Sequence, residues 1–112
     1  MAALVQQKNY CPCCGYPDLE MPAYENLGQP PWFDHGSPPY CHRYGAASYD
    51  VCSCCGFEYG FDDDPGASLG DSFQEYRRNW IAEGAVWFTP KRRPPDWDLQ
   101  KQLQGIGILG ND

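Results

Sequence analysis

Tyr10-Cys11-Pro12-Cys13-Cys14-Gly15-Tyr16 and Val51-Cys52-Ser53-Cys54-Cys55-Gly56-Phe57 are two copies of one seven-residue pattern: apolar, Cys, small, Cys, Cys, Gly, aromatic. In each copy a pair of cysteines is separated by two residues, the spacing at which a tight turn offers two thiolates to one ion. Cys11 with Cys14 and Cys52 with Cys55 make two such pairs, and zinc completes a tetrahedron with four ligands. Gly15 and Gly56 follow the pairs, where a missing Cβ lets the backbone fold under a metal and aim N–H groups at sulfur. Thirty-seven residues separate the pairs. That distance is no obstacle, because doubling a loop costs only about 0.6 kcal/mol of closure entropy. A structural zinc contributes roughly 10–16 kcal/mol in apparent terms.

Composition points the same way. The chain has 112 residues, enough for one compact domain, and a hydrophobic fraction of 42% that includes seven cysteines and seventeen aromatics. Leu, Ile and Val number only thirteen, and the net charge is −7. Those two values alone belong with disordered chains. Four Trp and eight Tyr offer large buriable surfaces instead, and the cysteines are grouped. A core this poor in aliphatics calls for a metal staple.

No stretch reaches the roughly 20 apolar residues that span a bilayer, and the first ten residues hold no signal-peptide core. The expectation is a reducing cytoplasm, where clustered cysteines bind metal rather than form disulfides. An odd count of seven also leaves one thiol over in any all-disulfide scheme. A pI near 4.6 argues against nucleic acid as a general partner.

The chain reads as residues 1–84, a cysteine-rich domain with a Pro-rich insertion at 28–45 and a helix at 73–83, followed by a C-terminal extension, 85–112, packed on the same domain. Four prolines and three glycines mark 28–45 as a loop. Residues 48–51 and 57–61 read as short strands flanking the second turn. Ser72 and Glu75 form a capping box, Phe73, Tyr76, Trp80 and Ile81 share one helical face, and Gly84 is the stop. A weaker helix is expected from about Trp97 to Gln104, capped by Asp96 and stopped by Gly105. The fold class is small α+β: zinc-ribbon-like or rubredoxin-like, metal-nucleated β-hairpins with a packed C-terminal helix.

The other reactive residues read more plainly. Cys13 and Cys54 hold matching third positions and are best taken as buried thiols beside the cluster, with C-x-C ligation as the alternative. Cys41 and His42 could join them around a second ion, although no spacing demands it. Asp62, Asp63 and Asp64 resemble a calcium loop, but Gly66 falls where an oxygen ligand is needed. Lys91-Arg92-Arg93 reads as a solvated basic turn. The zinc deaminase signature is absent. Four thiolates close a zinc site, so no enzyme is expected.

The Tyr-Cys-Pro-Cys-Cys-Gly-Tyr stretch, Ser48-Tyr49-Asp50-Val51-Cys52, the turn ending at Cys55, the Asp cluster and the helix after it resemble the bacterial cysteine-rich CPCC family over about residues 9–83. The resemblance implies a zinc-ribbon fold with Cys11, Cys14, Cys52 and Cys55 as ligands. This chain departs from the family in its Cys-Ser-Cys-Cys-Gly second turn and its expanded 28–45 loop. By analogy, proteins of this type accompany toxin-immunity systems, which suggests an immunity or adaptor role. The expected activity is protein binding through an aromatic and acidic surface, with Trp32, Phe33, Tyr40, Tyr44, Asp62, Asp63 and Asp64 meeting a basic partner; the alternative for the four aromatics is that they fold back and cover the ribbon, since the core is poor in aliphatics. The rival is electron transfer, since paired C-x-x-C-G turns also resemble rubredoxins, which hold iron.

Overall fold

The computed structural model describes residues 8–32, 34–64 and 72–108. Phe33, most of the acidic stretch after Asp64 and the end of the Gly-rich tail lie outside these residues. Among the described residues the helices are α1 (Cys41–Tyr44), α2 (Phe73–Ala82) and α3 (Leu99–Gln104), with a 3-10 turn at Pro90–Arg92. No helix among the described residues is long and apolar enough to cross a membrane.

Helix α2 begins and ends as its sequence predicts. Ser72 Oγ accepts from Glu75 N at 3.0 Å and its hydroxyl donates to the Glu75 carboxylate at 3.1 Å. At the other end Gly84 takes φ +105°, Gly84 N donates to Ile81 O, and Ala85 N donates to Trp80 O. Those two bonds make a Schellman motif, with Trp80 and Ala85 at the positions that pack together. The buried face is Phe73, Arg77 and Trp80, with Tyr76 and Ile81 only partly covered.

Helix α3 corrects the expected start at Trp97. Asp98, not Asp96, is the N-cap, and its carboxylate accepts from Lys101 N at 3.2 Å. Residues before it are occupied by a turn in which Trp97 N donates to Pro94 O, and the Trp97 ring packs edge-on against Trp87 at 5.4 Å. The helix therefore cannot start until the indole is placed.

The expected strands are reduced to isolated bridges. Val51 and Glu58 pair in antiparallel fashion, and Cys52 N→Phe57 O and Tyr59 N→Asp50 O are the flanking bonds. Tyr49 at φ +63° and Gly60 at φ +91° leave extended geometry on either side, so the ladder goes no further. The Pro-rich insertion likewise holds a helical turn, α1, that proline content alone does not announce.

That insertion folds inward, which corrects part of the expected partner surface. Tyr40 is 1% exposed and stacks on Phe73 with centroids 3.9 Å apart, and its hydroxyl accepts from Phe73 N. Tyr44 is buried as well, packed with Tyr24. Asp63 is 1% exposed: its carboxylate accepts from Tyr40 N and Gly60 N, both at 2.9 Å. These three residues hold the loop to the second turn and do not face a partner. Trp32 is half-buried, with its indole N–H donating to Leu27 O. The physical reason is the shortage of aliphatics: tyrosines supply much of the surface that fills the space around Phe57, Tyr59 and Phe73.

His35 is drawn into the same group. Its ring lies 5.0 Å from Phe73 and 5.5 Å from Trp32, with Nδ1 2.7 Å from the Tyr44 hydroxyl. Burial, then the charges of Arg43 and Arg77, lower its pKa to about 4, against a smaller opposing pull from Asp34. The folded state thus prefers neutral His35, whereas the unfolded chain protonates it near pH 6.5. Between those values the unfolded state binds more protons, so the contribution of His35 is complete above about pH 6.5 and lost as pH falls toward 4. His35→Gln should flatten that part of the stability curve, measured as Tm against pH beside the parent. Parallel curves would show that His35 stays neutral for no structural gain.

Candidate metal centre

The two cysteine turns fold as near copies. Cys11 N donates to Tyr16 O and Gly15 N to Cys11 O, both at 2.8 Å; in the second turn Cys52 N donates to Phe57 O at 3.0 Å and Gly56 N to Cys52 O at 2.9 Å. Gly15 and Gly56 have φ +88° and +83°, values that side chains rarely adopt. In both turns the N–H two residues on, Cys13 N or Cys54 N, points at the first sulfur from 3.4 Å. Such N–H···S bonds favour the thiolate form, because they place positive dipole ends against it.

The turns face each other. Cys11 Sγ and Cys55 Sγ are 3.9 Å apart, Cys14 Sγ and Cys52 Sγ 3.7 Å, and all four sulfurs lie within 4.8 Å of one another. Zinc–sulfur bonds of about 2.3 Å require a tetrahedron with edges of about 3.8 Å, which the two cross-turn pairs match, and the remaining pairs lie within an ångström of it. Cys11, Cys14 and Cys52 are fully buried and Cys55 nearly so. All seven cysteines are free thiols.

Electrostatics favour a cation at the centre. Burial pushes the Cys14 and Cys55 thiols well up, and hydrogen bonds with the neighbouring sulfurs add to this. Burial opposes the Cys52 thiolate too, but hydrogen bonds from Cys11, Cys14 and Cys55 outweigh it and draw Cys52 well down. A divalent cation would displace the protons that burial favours on Cys14 and Cys55, because thiolates are the ligands.

Cys13 and Cys54 are buried beside the four, not among them. Cys13 Sγ donates to Phe73 O at 3.5 Å, and Cys54 Sγ accepts from Gln102 Nε2 at 3.4 Å. Cys41 is exposed on α1, and among the described residues only the group of four meets the geometry of a metal site. Asp62 accepts from Glu58 N at 2.8 Å and is partly covered, and Asp64 is exposed. Phe33 lies outside the described residues.

Three supports of the centre were not evident from the cysteine pattern. Arg77 Nη1 donates to Cys13 O at 3.0 Å. The Tyr76 hydroxyl donates to Cys55 O at 3.1 Å. Gln102 is the third: Trp97 Nε1 donates to its Oε1 at 2.8 Å, and its Nε2 donates to Cys14 O at 3.0 Å as well as to the Cys54 sulfur. One amide therefore bridges both turns. Arg77 sits between Phe73 and Trp80 on the helical face, and Gln102 falls with Leu99, Leu103 and Ile106 on another, so periodicity carries a signal for both. Residues 85–89 also lie on the second turn, through Phe88 N→Cys54 O and Thr89 N→Ser53 O.

The class this defines is a small protein of paired cysteine turns, whose four inner thiols could hold one metal ion. Two curated relatives are similar in sequence, both from Bacillus subtilis (strain 168). The uncharacterized protein YoaQ is 28% identical over 104 residues, covering 83% of this chain and 74% of that protein. The uncharacterized protein YozI is 34% identical over 59 residues, covering 44% of this chain and 49% of that protein. No protein-family profile matches the chain, and no solved structure is significantly similar.

Proposed function

We propose that this is a non-enzymatic zinc protein: one Zn2+ on Cys11, Cys14, Cys52 and Cys55 holds the two turns together and sets out a surface for a protein partner. The observation that supports this reading is the group of four facing sulfurs, all within 4.8 Å of one another, a size compatible with a zinc–thiolate site. Four thiolates leave no open position for substrate or activated water, which favours an architectural ion. A reducing compartment such as the cytoplasm suits a cluster of seven free thiols.

The partner face is rebuilt from what is exposed. Tyr49 and Phe61 are 65% and 50% exposed at the open base of the second turn, where the Tyr49 ring lies by Gly60 and Phe61 leads into Asp62 and Asp64. Aromatic side chains beside carboxylates on a chain of net charge −7 suit a basic protein surface. An immunity or adaptor role in a bacterium is consistent with such a binding module.

Two measurements test this. Metal analysis of the purified chain should give one zinc and a colourless solution, whereas a red protein with one iron would turn the reading to electron transfer. Capture of a partner from the source cell should be lost in a Phe61→Ser/Asp64→Lys variant that keeps the parental Tm. Undiminished capture by that variant would remove this face from the interface.

A further inference from the structure

Each cysteine turn carries a cover over the glycine that follows it, and the two covers differ in kind. Over Gly15 it is the backbone of helix α3, since a Cβ there would stand 2.5 Å from Gln102 O. Over Gly56 it is a ring, since a Cβ there would meet Phe88 Cδ1 at 3.2 Å and Phe88 Cβ at 3.6 Å. Backbone gives way only with its helix, whereas a ring can change rotamer alone. Phe88 is 62% exposed while its N–H donates to Cys54 O, so the ring can turn on a fixed base. The cysteines share this asymmetry. Cys14, last of the first turn, is wholly buried, as are Cys11 and Cys52, but Cys55, last of the second, keeps 5% exposure. Cys55 and Gly56 line a groove of about 540 Å3 together with Trp80, Val86 and Phe88. The Tyr76 hydroxyl, in the same groove, donates to Cys55 O and anchors that backbone.

We infer that this groove is a port for ligand exchange, where the thiol of a small uncharged molecule replaces Cys55 on the bound ion while the turns stay joined. The inference rests on the four-thiol reading of the centre and adds the path by which an ion is handed over. The exchange balances. One metal–sulfur bond to Cys55 breaks, one to the incoming sulfur forms, and the proton passes from the incoming thiol to the Cys55 sulfur. Nothing is oxidised or reduced. An ion held by four sulfurs can pass through five ligands during such a swap. The apolar walls, with Glu83 among them, favour a neutral thiol over a carboxylate-bearing chelator. Without an incoming ligand the ion leaves only when the turns part.

The test follows zinc transfer from the loaded full chain to the dye pyridylazoresorcinol, at fixed dye and rising mercaptoethanol. The transfer rate should climb in proportion to the thiol, from an intercept set by the parting of the turns. Phe88→Ala should steepen the slope about tenfold, the effect of about 1.4 kcal/mol off a barrier, and leave the intercept alone. Gln102→Ala, which loosens α3, should raise the intercept and leave the slope. A parent rate that ignores the thiol, or a Phe88→Ala slope equal to the parent's, overturns the port. A second measurement needs no variant. On the zinc-loaded chain N-ethylmaleimide should label the exposed Cys41 first, then Cys55 ahead of Cys11, Cys14 and Cys52, as mapped by peptide mass spectrometry. Any of those three labelled before Cys55 overturns the inference equally. A parent that takes up no zinc at all would instead overturn the four-thiol reading beneath it.

Discussion

Removing the ion from the folded protein should abolish its cooperative thermal transition, and Cys14→Ser or Cys55→Ser should do the same. The argument is one of scale. A domain of this size is stable by about 5–15 kcal/mol, and a structural zinc contributes roughly 10–16 kcal/mol in apparent terms. Against this the described residues offer a core of rings and thiols with just three large aliphatics, Leu27, Leu103 and Ile106, buried in it. Four facing sulfurs left empty must also keep protons or bury charge. Calorimetry before and after treatment with a strong chelator, then after zinc is restored, measures the effect. Cys41→Ser is the control, since that thiol is exposed and should leave the transition alone. If the chelated chain melted as the parent does, ring packing alone would be sufficient.

The second large effect is expected at Gly15. A Cβ there would stand 2.5 Å from the backbone carbonyl oxygen of Gln102, at a residue with φ +88°. Helix α3 would have to lift away, and with it the amide that bridges the turns. Gly56 is the matching residue, but its Cβ would meet Phe88 Cδ1 at 3.2 Å, a side chain free to yield, and Gly28, at φ +76°, would meet nothing within 4 Å. Gly28→Ala should therefore cost only the left-handed penalty, about 1–2 kcal/mol. Gly56→Ala should cost somewhat more, and Gly15→Ala about 3–5 kcal/mol through the added clash and lost packing. Equal losses at Gly15 and Gly28 in chemical denaturation would show that α3 does not press on the first turn.

What could be read from the residues follows the range of the interactions. The cysteine turns, the Ser72 cap and the Gly84 stop are decided within a few residues of chain, and each is where the sequence places it. Tyr40 and Tyr44 read equally as a partner surface or as a cover folded back on the ribbon, and Asp63 as one of an acidic run, because nothing local decides between these. Their burial depends on Phe73, which stacks on Tyr40 from thirty-three residues away in the chain. Asp98 displaced Asp96 as a cap because Trp97 is held by another indole, again a tertiary decision. The strands failed for a local reason, since Tyr49 adopts a left-handed conformation seldom seen outside glycine and asparagine.

The position of Gln102 gives the molecule a sense of time. The four cysteines that could hold an ion have emerged from the ribosome once the second turn is made, whereas the amide that bolts the turns together follows later in the chain, on α3. Capture can precede locking during translation. In the finished protein the reverse order must be followed, because the amide has to let go before the turns can part. How long a bound ion stays would then depend on how often α3 swings open, and not on sulfur chemistry alone.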